Sequence, residues 1–257
     1  MVKTNAQHKT LRPAAVLAVI FLLLSLCFLL ITVVYPDKIN SLLMNRKYKV
    51  YGGMTDELKD CELFEDMRSG KSFCFIGDSI TYGSWTNGIP WYQPLIPYIK
   101  GDVTNLSYGG WTVLDILYAS DDIPSSDVYV IAIGINDVLF PDDEYSASSS
   151  DEFTYRCGIL SDMITGVSPN SKIYFIAPWT FLGFDSSIVS RGDQFRTALS
   201  DWCENNDCIY INPDPVIRAV LDKEDADKFM YNDFHPNAPE GVGLFSYAVL
   251  LEDHNRG

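Results

Sequence analysis

The chain has 257 residues, 47% of them apolar and 13% aromatic, which fills one domain well, rules out disorder for most of it and is too short for two ordinary domains. Its formal charge of −15 is uneven: residues 1–49 hold seven Lys or Arg and one Asp, which leaves 12 basic against 33 acidic residues in the remainder. So acidic a body repels phosphate backbones and anionic lipid, which argues against nucleic acid as a partner and favours a neutral or weakly charged substrate.

Residues 13–35, PAAVLAVIFLLLSLCFLLITVVY, run 23 positions without a charge. As a helix at about 1.5 Å per residue they span about 35 Å, more than a bilayer core of about 30 Å. A single transmembrane signal anchor is therefore expected. Lys3, Lys9 and Arg12 make residues 1–12 a cytoplasmic tail and put the body outside the cytoplasm, although Lys38, Arg46, Lys47 and Lys49 weaken the asymmetry. A cleaved signal peptide is the rival reading, but ITVVYPDKIN offers no small-residue cleavage site.

Residues 36–70 read as a polar juxtamembrane connector, a spacer or a lid. It is broken at Gly52 and Gly53 and carries a helical stretch over TDELKDCELFEDM that Ser69 and Gly70 end. The remaining domain, 71–257, shows five short runs rich in Val, Ile, Phe and Tyr: 72–77, 103–108, 127–134, 171–178 and 207–212. Such runs suit strands buried on both faces. Helical spacing appears over 151–167 and 191–206, and again over GVGLFSYAVLLED near the end. Strand and helix alternate, so the expected fold class is α/β, three layers with a five-stranded, mostly parallel sheet of flavodoxin-like kind. SASSS at 146–150 reads as a loop.

The cysteines form no metal-ligand spacing. Cys203 and Cys208 flank ENND, where either a disulfide closing a short loop or a free thiol in a buried strand fits. The acidic clusters at Asp142-Asp143-Glu144 and Asp222 to Asp227 lack the spacing of a calcium loop. No metal and no cofactor is expected.

In open parallel sheets ligands bind at the carboxyl ends of the strands. The first strand ends in FIGDSITYG, which stands Ser79 at a turn where a hydroxyl is free to act as a nucleophile. Such a serine needs a base. His8 precedes the anchor and His254 lies at the C-terminus, so His235 in YNDFHPN is the candidate. A tetrahedral acyl-transfer intermediate also needs donors for its oxyanion. Gly110 in NLSYGGWT and Asn136 in GIND stand where a backbone N–H and a side-chain amide would serve, although both types also favour turns.

Together these blocks resemble the SGNH, or GDSL-type, hydrolase family. GDS at 77–79, N-x-x-x-x-G-x-T from Asn105 to Thr112, G-x-N-D at 134–137 and His-Pro-Asn at 235–237 occur in that family's order. The resemblance implies Ser79 as nucleophile and first oxyanion donor, Gly110 and Asn136 as further donors, and His235 as general base. It departs at the third triad member. The family closes with D-x-x-H, whereas Asn232 stands three residues before His235 and Asp233 two before. Asp233 is the favoured orienting acid, with a backbone carbonyl or Asn232 as alternatives.

The reading that follows is a membrane-anchored serine esterase acting on small acylated substrates, O-acetyl groups on extracytoplasmic glycans above all. The rivals are an O-acyltransferase using the same serine and a non-catalytic glycan-binding module. Trp85, Trp91, Trp111, Trp179, Tyr82, Tyr108, Phe181 and Phe184 fall near the catalytic edge, as a sugar-stacking floor or as ordinary core.

Overall fold

A computed structural model of the chain describes residues 17, 20–26, 29 and 36–257. The cytoplasmic tail expected at 1–12 and most of the anchor expected at 13–35 lie outside the described residues. Residues 20–26 are helical, and among the described residues no helix is long and apolar enough to cross a membrane. The chain divides into two units at residues 46 and 47. Helix α1, Pro36–Lys47, stands where a polar connector was expected and carries the chain across that division.

The second unit, Lys47–Gly257, begins well before the boundary expected at 71. Helices α2, Asp56–Lys59, and α3, Glu62–Arg68, bury Leu58, Leu63, Phe64 and Met67 in the hydrophobic core. The backbone N–H of Leu63 donates to Asp253 Oδ2 at 2.7 Å, 190 residues away. Residues 47–70 are thus integral to the domain rather than a spacer or lid. Polar residues between those apolar positions gave the segment its connector-like composition.

The sheet is fully parallel, with strands β1 (Phe73–Gly77), β2 (Val103–Ser107), β3 (Val128–Ala132), β4 (Lys172–Ile176) and β5 (Ile209–Ile211) in the order β2-β1-β3-β4-β5. Every residue of β1 and β3 is buried, as continuous apolar runs require of central strands. The edge strand β2 is partly exposed. Phe75 in β1 stacks on Tyr92 at 3.6 Å and meets Trp91 edge-on. Each such buried ring contributes about 1.5–3 kcal/mol.

Short helices that periodicity does not reveal open the loops after the first three strands: α4 (Ser79–Tyr82), α5 (Val113–Tyr118) and α6 (Ile135–Leu139). The long helices α7 (Ser150–Val167) and α8 (Ser186–Glu204) stand at the expected places. Helix α8 begins early because Asp185 caps it, accepting from the N–H groups of Ser187 and Ile188. Helix α9, Asp214–Leu221, and the terminal α10, Glu240–Arg256, complete the three layers. The Ser246 hydroxyl of α10 donates to the Trp91 carbonyl at 2.5 Å.

Cys203 and Cys208 are both free, so the loop between them is not closed by a disulfide. Cys203 is buried within α8, and the Cys208 sulfur sits 3.7 Å from the Ser161 hydroxyl.

Strand β1 lies between β2 and β3, so the chain leaves it first to one side and later returns on the other. Such a reversal opens a crevice at the carboxyl ends of the two strands. Ser79 follows β1 there, and Asn136 follows β3.

Candidate active site

Ser79 owes its place to Asp78. Asp78 Oδ1 accepts the Ile80 N–H at 2.9 Å and caps α4, so the chain turns within one residue of the buried strand and Ser79 opens the helix. Its carbonyl then accepts the N–H groups of Gly83 and Ser84, both at 2.9 Å. The Ser79 hydroxyl, in a residue 6% exposed, lies 2.8 Å from Nε2 of His235, itself 5% exposed. The fold brings together two side chains 156 positions apart.

The histidine loop is held at several points. The Tyr231 N–H donates to the His235 carbonyl at 2.8 Å, the Asn237 N–H to Phe229 at 2.8 Å, and the Asn237 side chain to the Lys228 carbonyl at 2.8 Å. Phe234 and Trp85 pack on the imidazole at ring distances of 4.2 and 5.5 Å. Burial pushes the His235 pKa down to about 4, so the ring is neutral at pH 7 and its free nitrogen is a base.

Asp233 does not take the orienting position expected of it. Its side chain is exposed and lies over Gly183, and its carbonyl accepts the Leu182 N–H at 2.7 Å. Asn232 stands on the ring instead, with Oδ1 3.2 Å from His235 Nδ1. The reason is local: Asn232 Oδ1 accepts the backbone N–H groups of Phe234 and His235, a turn that carries its side chain toward the imidazole and leaves Asp233 on the outer side.

Gly110 and Asn136 face one small cavity of about 170 Å³, lined also by Thr112, Asp115 and Tyr145. Gly110 sits at φ +85°, a conformation glycine adopts without strain, and it turns the chain out of the loop after β2. Asn136 is buried and donates from Nδ2 to the Trp111 carbonyl at 2.8 Å, which leaves a second amide hydrogen for another acceptor. Gly134, at φ +109°, precedes it so tightly that an added Cβ would lie 2.7 Å from the Phe153 ring.

Sequence patterns gave no role to several groups that set this geometry. Asp137, wholly buried, accepts from Ala147 at 2.9 Å and Val113 at 3.3 Å, joining the loops after β2 and β3. Burial pushes its pKa up to about 6. Arg191 donates to the carbonyls of Asp137, Ala147 and Ser148. Arg196, buried in α8, donates to the carbonyls of Pro178 and Trp179 and fixes the loop after β4. Both arginines lie in a helix where charged residues are unremarkable, so nothing in the sequence marks them as turning inward.

The aromatic set divides. Trp91, Trp179 and Phe181 are core, whereas Tyr82, Trp85 and Tyr108 are exposed and Trp111 and Phe184 half-buried. Trp85, 49% exposed, stacks on Tyr231, 58% exposed, at 5.1 Å, and Tyr82 lies 5.5 Å from Tyr108.

A serine hydroxyl on a neutral imidazole, at the carboxyl edge of a parallel sheet in three α/β/α layers, is the arrangement of a serine hydrolase. The model of the GDSL-like lipase/acylhydrolase family matches residues 75–239, and the chain belongs to that family; it is a serine hydrolase acting on ester bonds. No curated protein matches the chain. Among solved structures it is similar to an acetylxylan esterase from Geobacillus stearothermophilus, at 21% identity and TM-score 0.59, over 73% of this chain and 96% of that one. It is also similar to a GDSL-like lipase from Parabacteroides merdae, at 19% identity and TM-score 0.61, over 74% and 98% of the two chains. At these identities the likeness is one of fold. Structures of the Geobacillus esterase include catalytic mutants of a serine, an aspartate and a histidine, the aspartate three positions before the histidine. Three positions before His235, this chain has Asn232.

Proposed function

We propose that this chain removes short acyl groups, O-acetyl above all, from glycans outside the cytoplasm, with Ser79 as nucleophile and His235 as general base. The observation that carries the reading is the 2.8 Å contact between the Ser79 hydroxyl and His235 Nε2. Ser79 Oγ bonds to the acyl carbon while its proton passes to Nε2. The carbonyl oxygen gains the negative charge, with the Ser79 and Gly110 N–H groups and the Asn136 amide as its donors. Collapse breaks the ester bond, and the departing alcohol oxygen takes the proton back from Nε2. Water, giving up a proton to the same nitrogen, then releases the acid.

The exposed ring pairs favour a sugar as the alcohol part. Trp85 and Tyr231 leave flat apolar faces in solvent beside the imidazole, where an acylated pyranose ring would stack. The acidity of the domain favours a neutral glycan over an anionic one. The test is a panel of acetylated oligosaccharides, lipid esters and thioesters offered to the full chain and read by mass spectrometry. Release of acetate from oligosaccharides is expected to exceed cleavage of the others. Tyr231→Ala is expected to lower kcat/KM on the oligosaccharide about threefold to tenfold, as the loss of one ring contact implies, and to affect p-nitrophenyl acetate less. Equal losses on both substrates would remove the stacking argument.

Residues 13–35 serve in this reading as the membrane anchor. The described part supports it: Ile20, Phe21, Leu22, Leu23, Leu24 and Leu26 are helical with exposed apolar side chains, a patch that water does not tolerate without a covering partner. The full chain is expected to stay in the membrane pellet through alkaline carbonate, and a C-terminal tag to be digested by protease added outside intact cells. Release by carbonate, or a protected tag, would overturn the anchor or its orientation.

A further inference from the structure

One amide oxygen does the work on the far side of the imidazole. Asn232 Oδ1 accepts two backbone N–H groups, of Phe234 at 3.1 Å and of His235 at 2.8 Å, and lies 3.2 Å from ring Nδ1 of His235. A backbone N–H donates and never accepts. The two backbone donors therefore hold the Asn232 amide with its oxygen, not its NH₂, toward the ring. A neutral imidazole has one N–H and one bare nitrogen. Facing a pinned acceptor, Nδ1 carries the hydrogen, and Nε2 turns its lone pair to the Ser79 hydroxyl.

Building on the esterase reading, we infer that Asn232 is a positioning residue that fixes the His235 tautomer without an acid. The chain thus runs a Ser79–His235–Asn232 arrangement. An amide in the acid's place ordinarily costs about 10⁴ in rate, because it stabilises the wrong tautomer. The backbone donors to Oδ1 close off that failure here. What the amide does not supply is charge: the imidazolium formed when Ser79 gives up its proton faces a dipole rather than a carboxylate. The other groups packed on the ring, Ser79, Trp85 and Phe234, are also uncharged, and the Asp233 carboxylate lies over Gly183. Among the described residues no carboxylate lies beside it, and burial holds the ring's pKa down.

The tautomer is read directly by NMR of the full chain in detergent, with ¹⁵N-labelled histidine and the signals of His8, His235 and His254 assigned by single His→Gln variants. His235 is expected as the Nδ1–H tautomer near pH 7. In Asn232→Ala its population is expected to move toward Nε2–H, the form an unconstrained neutral histidine side chain prefers. An Nε2–H ring in the native chain, or an unchanged ring in Asn232→Ala, overturns the assignment. On p-nitrophenyl acetate, Asn232→Ala is expected to lower kcat about 10²-fold with KM little changed. Asn232→Asp keeps an oxygen for all three N–H groups, so it tests the position even if the alanine variant fails to fold. It is expected to raise kcat above the native value and to move the acidic limb of kcat/KM up by about one pH unit or more, since a carboxylate favours the imidazolium. If both stay at native values, the positioning role fails. A native chain with the Nδ1–H ring but neither hydrolysis nor fluorophosphonate labelling upholds the tautomer assignment and sinks the esterase reading instead.

Discussion

Ser79→Ala is expected to abolish covalent labelling by a fluorophosphonate and to lower kcat on p-nitrophenyl acetate by about 10³- to 10⁶-fold. The atom removed is the one that bonds to the acyl carbon, and among the described residues no other hydroxyl shares the contact with His235 Nε2, 2.8 Å from Ser79 Oγ. The fold should barely register the change. The bonds that shape the turn use the Ser79 carbonyl and the Asp78 side-chain oxygen, neither of which the substitution touches. Losing one hydroxyl contact costs about 1 kcal/mol, a fall of about 2–4 °C in melting temperature for a domain of this size. His235→Gln is expected to lose nearly as much activity. Because nucleophile and base act as a unit, the double variant should be little worse than either single one. Labelling that survives in folded Ser79→Ala would move the nucleophile elsewhere, and hydrolysis within tenfold of native would end the acyl-enzyme mechanism.

Much of this site is legible in the sequence because its two reacting groups are short of competitors. GDS follows a strand whose apolar run is unbroken, and His235 is the one histidine between residue 9 and the terminal helix. The strands read well for a related reason: β1 and β3 are buried on both faces, so they carry no polar alternation to confuse with a helix. Three features were not legible. Residues 47–70 have a connector's composition, yet Leu58, Leu63, Phe64 and Met67 sit in the core, a fact that depends on helix α10 more than 170 positions later. Trp91 and Trp85 look alike in sequence, but Trp91 packs between Phe75 and Trp179 while Trp85 stays in solvent on Tyr231. Asn232 and Asp233 are neighbours on one loop, and an acid is the better base-orienting residue by chemistry alone. Backbone geometry decides between them, since the turn closed on Asn232 Oδ1 aims one side chain inward and the next outward.

The same preference for geometry over chemistry appears beneath the nucleophile, where it has a measurable cost. Asp78→Asn is expected to leave stability nearly unchanged at pH 4 and to raise it at pH 8 by about 4 kcal/mol relative to the native chain. Asp78 is wholly buried, with Oδ1 on the Ile80 N–H and no hydrogen-bond partner for Oδ2 among the described residues. Burial, assisted by the charge of Asp137, pushes its pKa from the usual 3.8 up to about 7. Between those values the folded chain keeps a proton that the unfolded chain has released. Stability therefore falls as pH rises through that window, and the penalty is complete above about pH 7. Asparagine still offers an oxygen to Ile80 and never ionises, so the variant escapes the penalty while keeping the cap that places Ser79. Asp137, with its pKa near 6, leaves the variant a smaller slope that ends earlier. Urea melts of both chains from pH 4 to pH 9 check the sign. A gain of equal size at both ends of the range would show that Asp78 keeps its charge in the folded protein, and that the turn under the nucleophile is built around a carboxylate rather than a carboxylic acid.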